Sequence, residues 1–539
     1  MKWLLERGHG MRDADKQRGL AGAFLMTLLM VAGAAAADGD LRLVEAARNR
    51  DQQKVRTLLN QHADVNARSD DGATALLWAA HWNDLETADL LIRAGANVNA
   101  ANAFRITPLS LACTNGSAVL VDRLLQAGAN PNTPIATGET PIMTCGNSGS
   151  TDAVRMLLAR GADVNAKEPA QNQTALMWAA AEHHPKVVAM LVEVGADLQA
   201  RTKKGFTALH FAAREGDLES TRLLLAAGVN VNIRSQPDSS EKGGGRGEAR
   251  GGGGARVGFG SGSYEATVSA GSTPLLVATV RGQVPLALFL LEQGADPNIG
   301  DAGFTPLHWA AGTWESGVSN PVYGFADPMS GIPDRQAKLQ LVTALLAHGA
   351  NPSGRITQRP PGFAGGYEDA VGATPFLLAS SVADTEMMRL LLAAGADPTL
   401  VTGTNTTPVM AATGLGHGTG ESPVTEEQAL QAVRFLLELG MDAKGVTTFG
   451  ENALFGPAYR GWNTLLQLLI DKGADVNVVS KAGVTPWLAA SGFGDRLGGV
   501  LYNKEGADLL AKHGADPKLG KPCQAQNKCR ELKDDAKQP

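Results

Sequence analysis

An all-α repeat solenoid of short paired helices is the fold class this sequence predicts, on three observations. A six-residue phrase, Gly-Ala-Asp-Val-Asn-Ala at 161–166, returns in recognisable form at 62, 95, 128, 161, 195, 228, 294, 349, 395, 440, 473 and 514. The steps between copies are 33, 33, 33, 34, 33, 66, 55, 46, 45, 33 and 41 residues. A base period that is only lengthened means one small unit, copied, with insertions. Between copies, apolar residues recur twice at helical spacing around a short polar break. Finally, aromatics are 5% of the chain while apolar residues are 44%, carried mainly by Ala and Leu, which suits thin, closely stacked helices.

The fixed period overrides the three or four globular domains that 539 residues would otherwise suggest. A formal net charge of -6 supplies no general attraction to nucleic acid or to an acidic membrane surface.

The first residues are of another kind. Arg12, Lys16 and Arg18 precede an apolar run from Leu20 to Ala37, which ends in small residues before Asp38-Gly39-Asp40. Basic, then apolar, then A-x-A is the order of a secretory signal peptide over 1–37. The rival reading is an uncleaved inner-membrane anchor formed by residues 20–37, near the lower length limit for spanning a bilayer. Either reading places the rest of the chain outside the cytoplasm, periplasmic or secreted. Cys523 and Cys529 lie close together in a polar tail and are expected to pair in an oxidising compartment. Cys113 and Cys145 occupy positions in neighbouring units usually held by Ala. They are expected to be small buried thiols, because equivalent sites one helix spacing apart, about 8–10 Å, lie beyond the reach of a disulfide.

Residues 205–237 show the unit. Thr207 is placed to cap a helix carrying Leu209, Ala212 and Ala213; Gly216-Asp217 break it; Leu218, Leu223, Leu224 and Leu225 form the stripe of a second helix. Gly228 then ends that helix at the position that favours a left-handed backbone, and a polar segment with turn chemistry follows.

The phrases at 207–213 (TALHFAA), 305–311 (TPLHWAA), 74–80 (TALLWAA) and 174–180 (TALMWAA), each followed by a Leu pair and the six-residue phrase, resemble the ankyrin repeat. The resemblance covers most of residues 40–519. It implies two antiparallel helices per unit, hairpin-like fingers between units, and a curved elongated array. It further implies that His210 and His308 tie a helix start to the adjacent finger rather than bind metal.

In chain order, a first unit from about 40 to 71 lacks the opening Thr phrase and resembles a polar N-terminal cap. Repeats 1–6 span 38–235, and a Gly-rich insertion over 236–271 contains twelve glycines and reads as a flexible loop. Repeats 7–12 span 272–519, with insertions near 312–335, 353–371 and 414–424. Residues 520–539 form a polar tail. The weak point is expected in the eleventh unit, where Pro457 falls inside the first helix and Asn452 replaces the opening Thr.

No catalytic phrase is present. Residues 492–497 (GFGDRL) lack the last glycine of a dinucleotide loop and follow a helix rather than a strand. There is no G-K-[ST] loop, no H-E-x-x-H and no G-x-S-x-G elbow. Catalytic residues, cofactors and metals are therefore all expected to be absent. The arginines of the Gly-rich loop are diluted by Glu241 and Glu248, so no nucleic-acid partner is expected either. Trp78, Trp178 and Trp309 share one repeat position, which points to packing between repeats.

What remains is surface, and the expected function is a monomeric, non-catalytic protein-interaction scaffold outside the cytoplasm. Candidate partner-binding residues in the regular half are Trp82, Phe104, Arg105, Lys203, Lys204 and Arg214. Trp82 leads them, as a large aromatic at a helix end with no evident packing duty. In the irregular half, Trp314, Tyr323, Phe325, Phe363 and Tyr367 lie in two insertions that the implied fold sends to opposite rims of the groove. The alternatives are an accessory or protective protein for a periplasmic enzyme or toxin, and a hydrolase built by the insertions of repeats 8–10. The hydrolase would require carboxylates such as Asp327, Asp334, Glu368 and Asp369 to converge in a pocket.

Overall fold

The computed structural model describes residues 40–236, 270–312, 332, 334–358, 370–415, 424–493 and 502–520. Among the described residues are twenty-four helices in twelve successive pairs and no strand. The chain is an α-helical repeat solenoid. The N-terminal segment 1–37, the Gly-rich insertion, the greater part of the three later insertions and the tail with Cys523 and Cys529 lie outside the described residues.

Two units are resolved, residues 1–103 and 104–539. The first holds α1 (Arg42–Arg48), α2 (Gln52–Asn60), α3 (Ala75–His81) and α4 (Leu85–Arg93). Here α1 packs on α3 and α2 on α4. In the second unit the first helices of successive repeats are α5 (Pro108–Thr114), α7 (Pro141–Asn147), α9 (Ala175–Ala181), α11 (Ala208–Glu215), α13 (Pro274–Val280), α15 (Pro306–Ala311), α17 (Pro375–Ser381), α19 (Pro408–Ala412), α21 (Phe455–Arg460) and α23 (Pro486–Ala490). Their partners are α6 (Ala118–Gln126), α8 (Thr151–Ala159), α10 (Pro185–Glu193), α12 (Leu218–Ala226), α14 (Val284–Glu292), α16 (Arg335–Ala347), α18 (Thr385–Ala393), α20 (Glu426–Glu438), α22 (Asn463–Asp471) and α24 (Lys504–Lys512). First helices pack on first helices from α5 through α19, and second helices form a parallel rank.

Local chemistry sets these boundaries. Most first helices open on a Thr, whose hydroxyl accepts an N–H of the first turn in cases such as Thr107 from Ser110 (3.1 Å) and Thr374 from Leu377 (3.2 Å); where Pro holds the first helical position, as in α5 and α17, it gives up a donor that has no partner there. Second helices other than α2, which ends before His62 (φ 60°), end on a glycine such as Gly161 (φ 82°) or Gly395 (φ 87°). A Cβ on either would meet nothing within 4 Å, so the residue is chosen for its left-handed backbone and not for space. Between the ranks lies the core: Leu124, Leu157, Leu191, Leu224, Leu391 and Leu469 are fully buried, and truncating any of them would cost about 2–5 kcal/mol.

Fingers are tied from repeat to repeat. Lys203 N–H donates to Gln171 O (2.9 Å), Gly403 N–H to Val371 O (2.9 Å) and Lys481 N–H to Phe449 O (2.7 Å). A second tie uses the Asn of the recurring phrase: Asn132 donates to Gly161 O (2.8 Å) and accepts from Asp163 N–H (2.8 Å). Asn298 makes the same two bonds to Gly349 O (2.8 Å) and Asn351 N–H (2.7 Å). Asn232 reaches across the Gly-rich insertion to Gly294 O (3.3 Å) and Asp296 N–H (2.8 Å). Repeat seven therefore stacks directly on repeat six, with α13 against α11.

Three features depart from the sequence reading. The thirteen-residue α16 and α20 exceed the usual nine, so each adjoining insertion ends by adding a turn to the second helix. Arg335 at the start of α16 bonds to Asp384 (2.9 Å) and Glu386 (2.6 Å) at the start of α18. In the eleventh repeat α21 begins only at Phe455. Pro457 thus lies in its first turn, where amide hydrogens have no intrahelical acceptor, and Asn452 supplies bonds from Leu454 N–H (3.1 Å) and to Asp475 O (2.8 Å). At that position Pro457 costs the helix no intrahelical hydrogen bond.

The third departure is covalent. Cys113 and Cys145 form a disulfide, with Cα atoms 4.4 Å apart, so the expectation of two free thiols is wrong. The spacing of helix axes is not the spacing of facing Cα atoms. Where both faces carry only small residues the backbones meet: a Cβ on Gly146 would lie 3.3 Å from Ala175 O. The bond closes a loop of 32 residues, worth about 3–4 kcal/mol in the chain-entropy picture. Replacing both cysteines by Ala, the residue common at this repeat position, should leave the helical circular dichroism intact. The urea midpoint should then fall by an amount equivalent to about 3 kcal/mol, measured under non-reducing conditions.

Candidate functional site

The predicted surface residues fall into different environments. Trp82 is half-buried and not idle: its Nε1–H donates to Arg48 O (3.0 Å), and its ring stacks on Trp78 with centroids 6.4 Å apart. The premise that it lacks a packing duty is therefore corrected. Phe104 is half-buried and Arg105 is exposed, with a left-handed backbone (φ 59°) at a fingertip where most repeats place glycine. Lys204 is exposed and Lys203 half-buried on the fingertip between α9 and α11.

Arg214 is not a surface residue. It is 7% exposed, lies over the Phe211 ring (4.9 Å to the centroid) and bonds to Glu215 (2.6 Å). Its guanidinium lies on the phenyl face and the neighbouring carboxylate offsets its charge, so the side chain is buried rather than presented. Trp314, Tyr323, Phe325, Phe363 and Tyr367 lie outside the described residues, as do Asp327, Glu368 and Asp369. Asp334 caps α16, accepting from Gln336 N–H (2.9 Å). Among the described residues no three His, Cys, Asp or Glu side chains are grouped to hold a metal. No helix of those residues is long and apolar enough to cross a membrane.

The two histidines of the opening phrase perform the joining role. His210 Nδ1 accepts from Thr207 N–H (3.2 Å) while Nε2–H donates to Ser272 O (3.0 Å) in the next repeat. His308 repeats the arrangement with Thr305 N–H (3.1 Å) and Gly354 O (2.9 Å). Each ring needs one acceptor and one donor nitrogen, hence the neutral form, and burial pushes both down to about 4. A further histidine joint, absent from the sequence reading, lies at a turn: His184 donates from Nε2 to Asn147 O (2.9 Å). The signal was its place at a turn one period beyond Ser150, whose hydroxyl reaches Gly116 O (3.0 Å). Trp309 is 4% exposed in an apolar cluster with Phe304, Ile356, Leu377, Leu378 and Ala411, in keeping with a packing role.

Models of ankyrin repeats match residues 2–102, 94–168 and 167–235 as three-copy arrays, and 270–302 and 371–403 as single repeats. The chain belongs to the ankyrin repeat family. Among curated proteins it is similar to "Protein PhlB" of Serratia liquefaciens, 32% identical over 26% of this chain and 47% of that protein. It is also similar to "E3 ubiquitin-protein ligase KEG" of Arabidopsis thaliana, 27% identical over 57% of this chain and 15% of that protein. It thus spans less than half the length of either relative. The human ASB11 ankyrin repeat domain, a crystal structure, is similar at 30% identity over 36% of this chain and 86% of that one, with a TM-score of 0.34. Ankyrin repeats mediate binding to other proteins, and the surface of these ankyrin repeats is where a site is to be sought.

The buried histidines make stability depend on pH. Their folded pKa is depressed below the ordinary 6.5, so their contribution is complete above that value and is lost as pH falls through about 4. Between pH 7 and 5 the chain should lose roughly 2 kcal/mol per histidine. The urea midpoints at the two pH values should show this difference, and the His210→Gln, His308→Gln double variant should reduce it.

Proposed function

We propose that this chain is a non-catalytic scaffold that holds a partner protein outside the cytoplasm. The observation that carries the reading is the preordered binding frame. Finger-to-finger backbone bonds, the Asn ties and the His210 and His308 joints fix the fingertips before any partner arrives, so little entropy is lost on binding. Side chains presented on that frame include Phe104, Arg105 and Lys204. Partner choice resides in such chain-specific positions, since the frame itself is common to the family.

Two features support the location. One is the basic-then-apolar order of the first residues. The other is the Cys113–Cys145 bond between adjacent repeats, of a kind that persists in oxidising compartments and is rare in the cytosol.

Full-length protein immobilised and exposed to a periplasmic extract is expected to retain a protein at fixed stoichiometry. The Arg105→Glu, Lys204→Glu variant should hold it about tenfold more weakly. A column that retains nothing above background would remove the scaffold reading. In cells, fractionation with thiol alkylation before reduction should find the chain outside the cytoplasm with Cys113 and Cys145 unlabelled. A cytosolic chain with both thiols labelled would overturn the location.

A further inference from the structure

We infer that the turn end of α1 and α3 in the N-terminal unit is a docking point for an acidic segment of a protein partner. This rests on the scaffold reading and adds the chemistry of what is bound. Two indoles and two guanidinium groups meet there. The rings of Trp78 and Trp82 stack at an interplanar angle of 25°. Arg48 Cζ lies 5.3 Å from the centroid of Trp78, and Arg50 Cζ lies 5.9 Å from that of Trp82. The bond from Trp82 Nε1–H to Arg48 O (3.0 Å) fixes the second ring against the backbone of the preceding repeat.

What sets these arginines apart is how they are paired. Arg42 and Arg56, exposed in the same unit, are matched to the carboxylates of Asp40 and Glu86. Arg48 and Arg50 are exposed and make no ion pair among the described residues; their contacts are to ring faces. The helix-capping carboxylates of α2 and α4 are occupied, Asp51 by Lys54 N–H (2.9 Å) and Asp84 by Thr87 N–H (3.1 Å) and Gln52 Nε2 (2.9 Å). A guanidinium lying on an indole keeps its edge of N–H donors outward, and that edge takes a carboxylate in two parallel bonds.

The backbone adds an independent observation. Arg50 has φ 57°, at a turn where the corresponding Gly116, Gly149, Gly216 and Gly282 have φ 63°, 71°, 79° and 71°. A side chain in that region costs about 1 kcal/mol or more. Asn83, His183 and Ala383 share the conformation in other repeats, but Arg50 uses it to set a cation over a ring. Elsewhere, Arg222 over Phe289 and Arg389 over Phe435, both at 4.2 Å, are single pairs between second helices. They provide a control of the same chemistry without the stacked rings.

The test uses the full chain and a fluorescent octapeptide of alternating Glu and Ala, with its Gln counterpart, followed by anisotropy. The Glu peptide should bind about tenfold more tightly than the Gln peptide. The Arg48→Ala, Arg50→Ala variant should lose that advantage, Arg222→Ala should keep it, and Arg48→Lys, Arg50→Lys should retain only part of it. Circular dichroism melts confirm that each variant is folded. Equal binding of the two peptides, or an advantage that survives Arg48→Ala, Arg50→Ala, overturns the inference. So does arginine-dependent binding to phosphatidylserine vesicles without binding to the Glu peptide. A natural partner held equally by wild type and by the double Ala variant overturns the docking point and leaves the scaffold standing, whereas a wild type that captures nothing removes both.

Discussion

Close approach of consecutive first helices is the constraint on which the rest of this molecule depends. At Cys113 and Cys145 facing Cα atoms are 4.4 Å apart, and at Gly456 a Cβ would stand 2.1 Å from Thr413 O. Only Gly, Ala and residues of similar size fit such contacts. This accounts for a chain whose apolar content is carried by Ala and Leu, with aromatics at 5%. It also accounts for the disulfide: where small residues let backbones meet, two cysteines at the same repeat position fall within bonding distance.

Tight first helices pull the fingers together as well, and the polar ties follow from that. Each finger carries backbone groups that would otherwise face a neighbour unpaired. The sequence answers with side chains that donate and accept at once, an Asn near the finger base and a His at the helix start. Neutral imidazole suits this use because its two nitrogens play opposite parts. The same choice makes the joints sensitive to acid. Since a repeat touches mainly its neighbours, cohesion is a sum of such local interfaces.

Much of this was legible in the sequence because the signals are local. The Thr caps and the left-handed glycines depend on residues within a few positions, and the joining role of His210 follows from the family resemblance, since its partner Ser272 lies 62 residues on. Thr425 and Gln428 form a capping box that could have revealed the early start of α20. The errors came where a neighbour decides the outcome. The spacing of axes misleads for Cys113, and the carbonyl that engages Trp82 belongs to Arg48, one period back; Arg214 is the exception, turned inward by Phe211 on its own helix. Pro457 lies inside the first helix of repeat eleven, but at its third position, which its sequence neighbours alone do not reveal. The candidate surface was less legible than the fold for the same reason: exposure and pairing are properties of contacts across a period, not of a phrase.

The junction of repeats six and seven carries an implication for how such a chain grows. Ser235 N–H donates to Ser272 O (2.8 Å) and Gly271 N–H to Ser235 O (2.6 Å), so the chain leaves and re-enters the stack at adjoining points. These bonds join the two ends of what lies between. Closing a longer excursion costs about 0.6 kcal/mol for each doubling of length, a small charge against a junction fastened by His210 and Asn232. That junction is an open socket in evolutionary terms, through which sequence can be gained or exchanged without the neighbouring repeats registering the change.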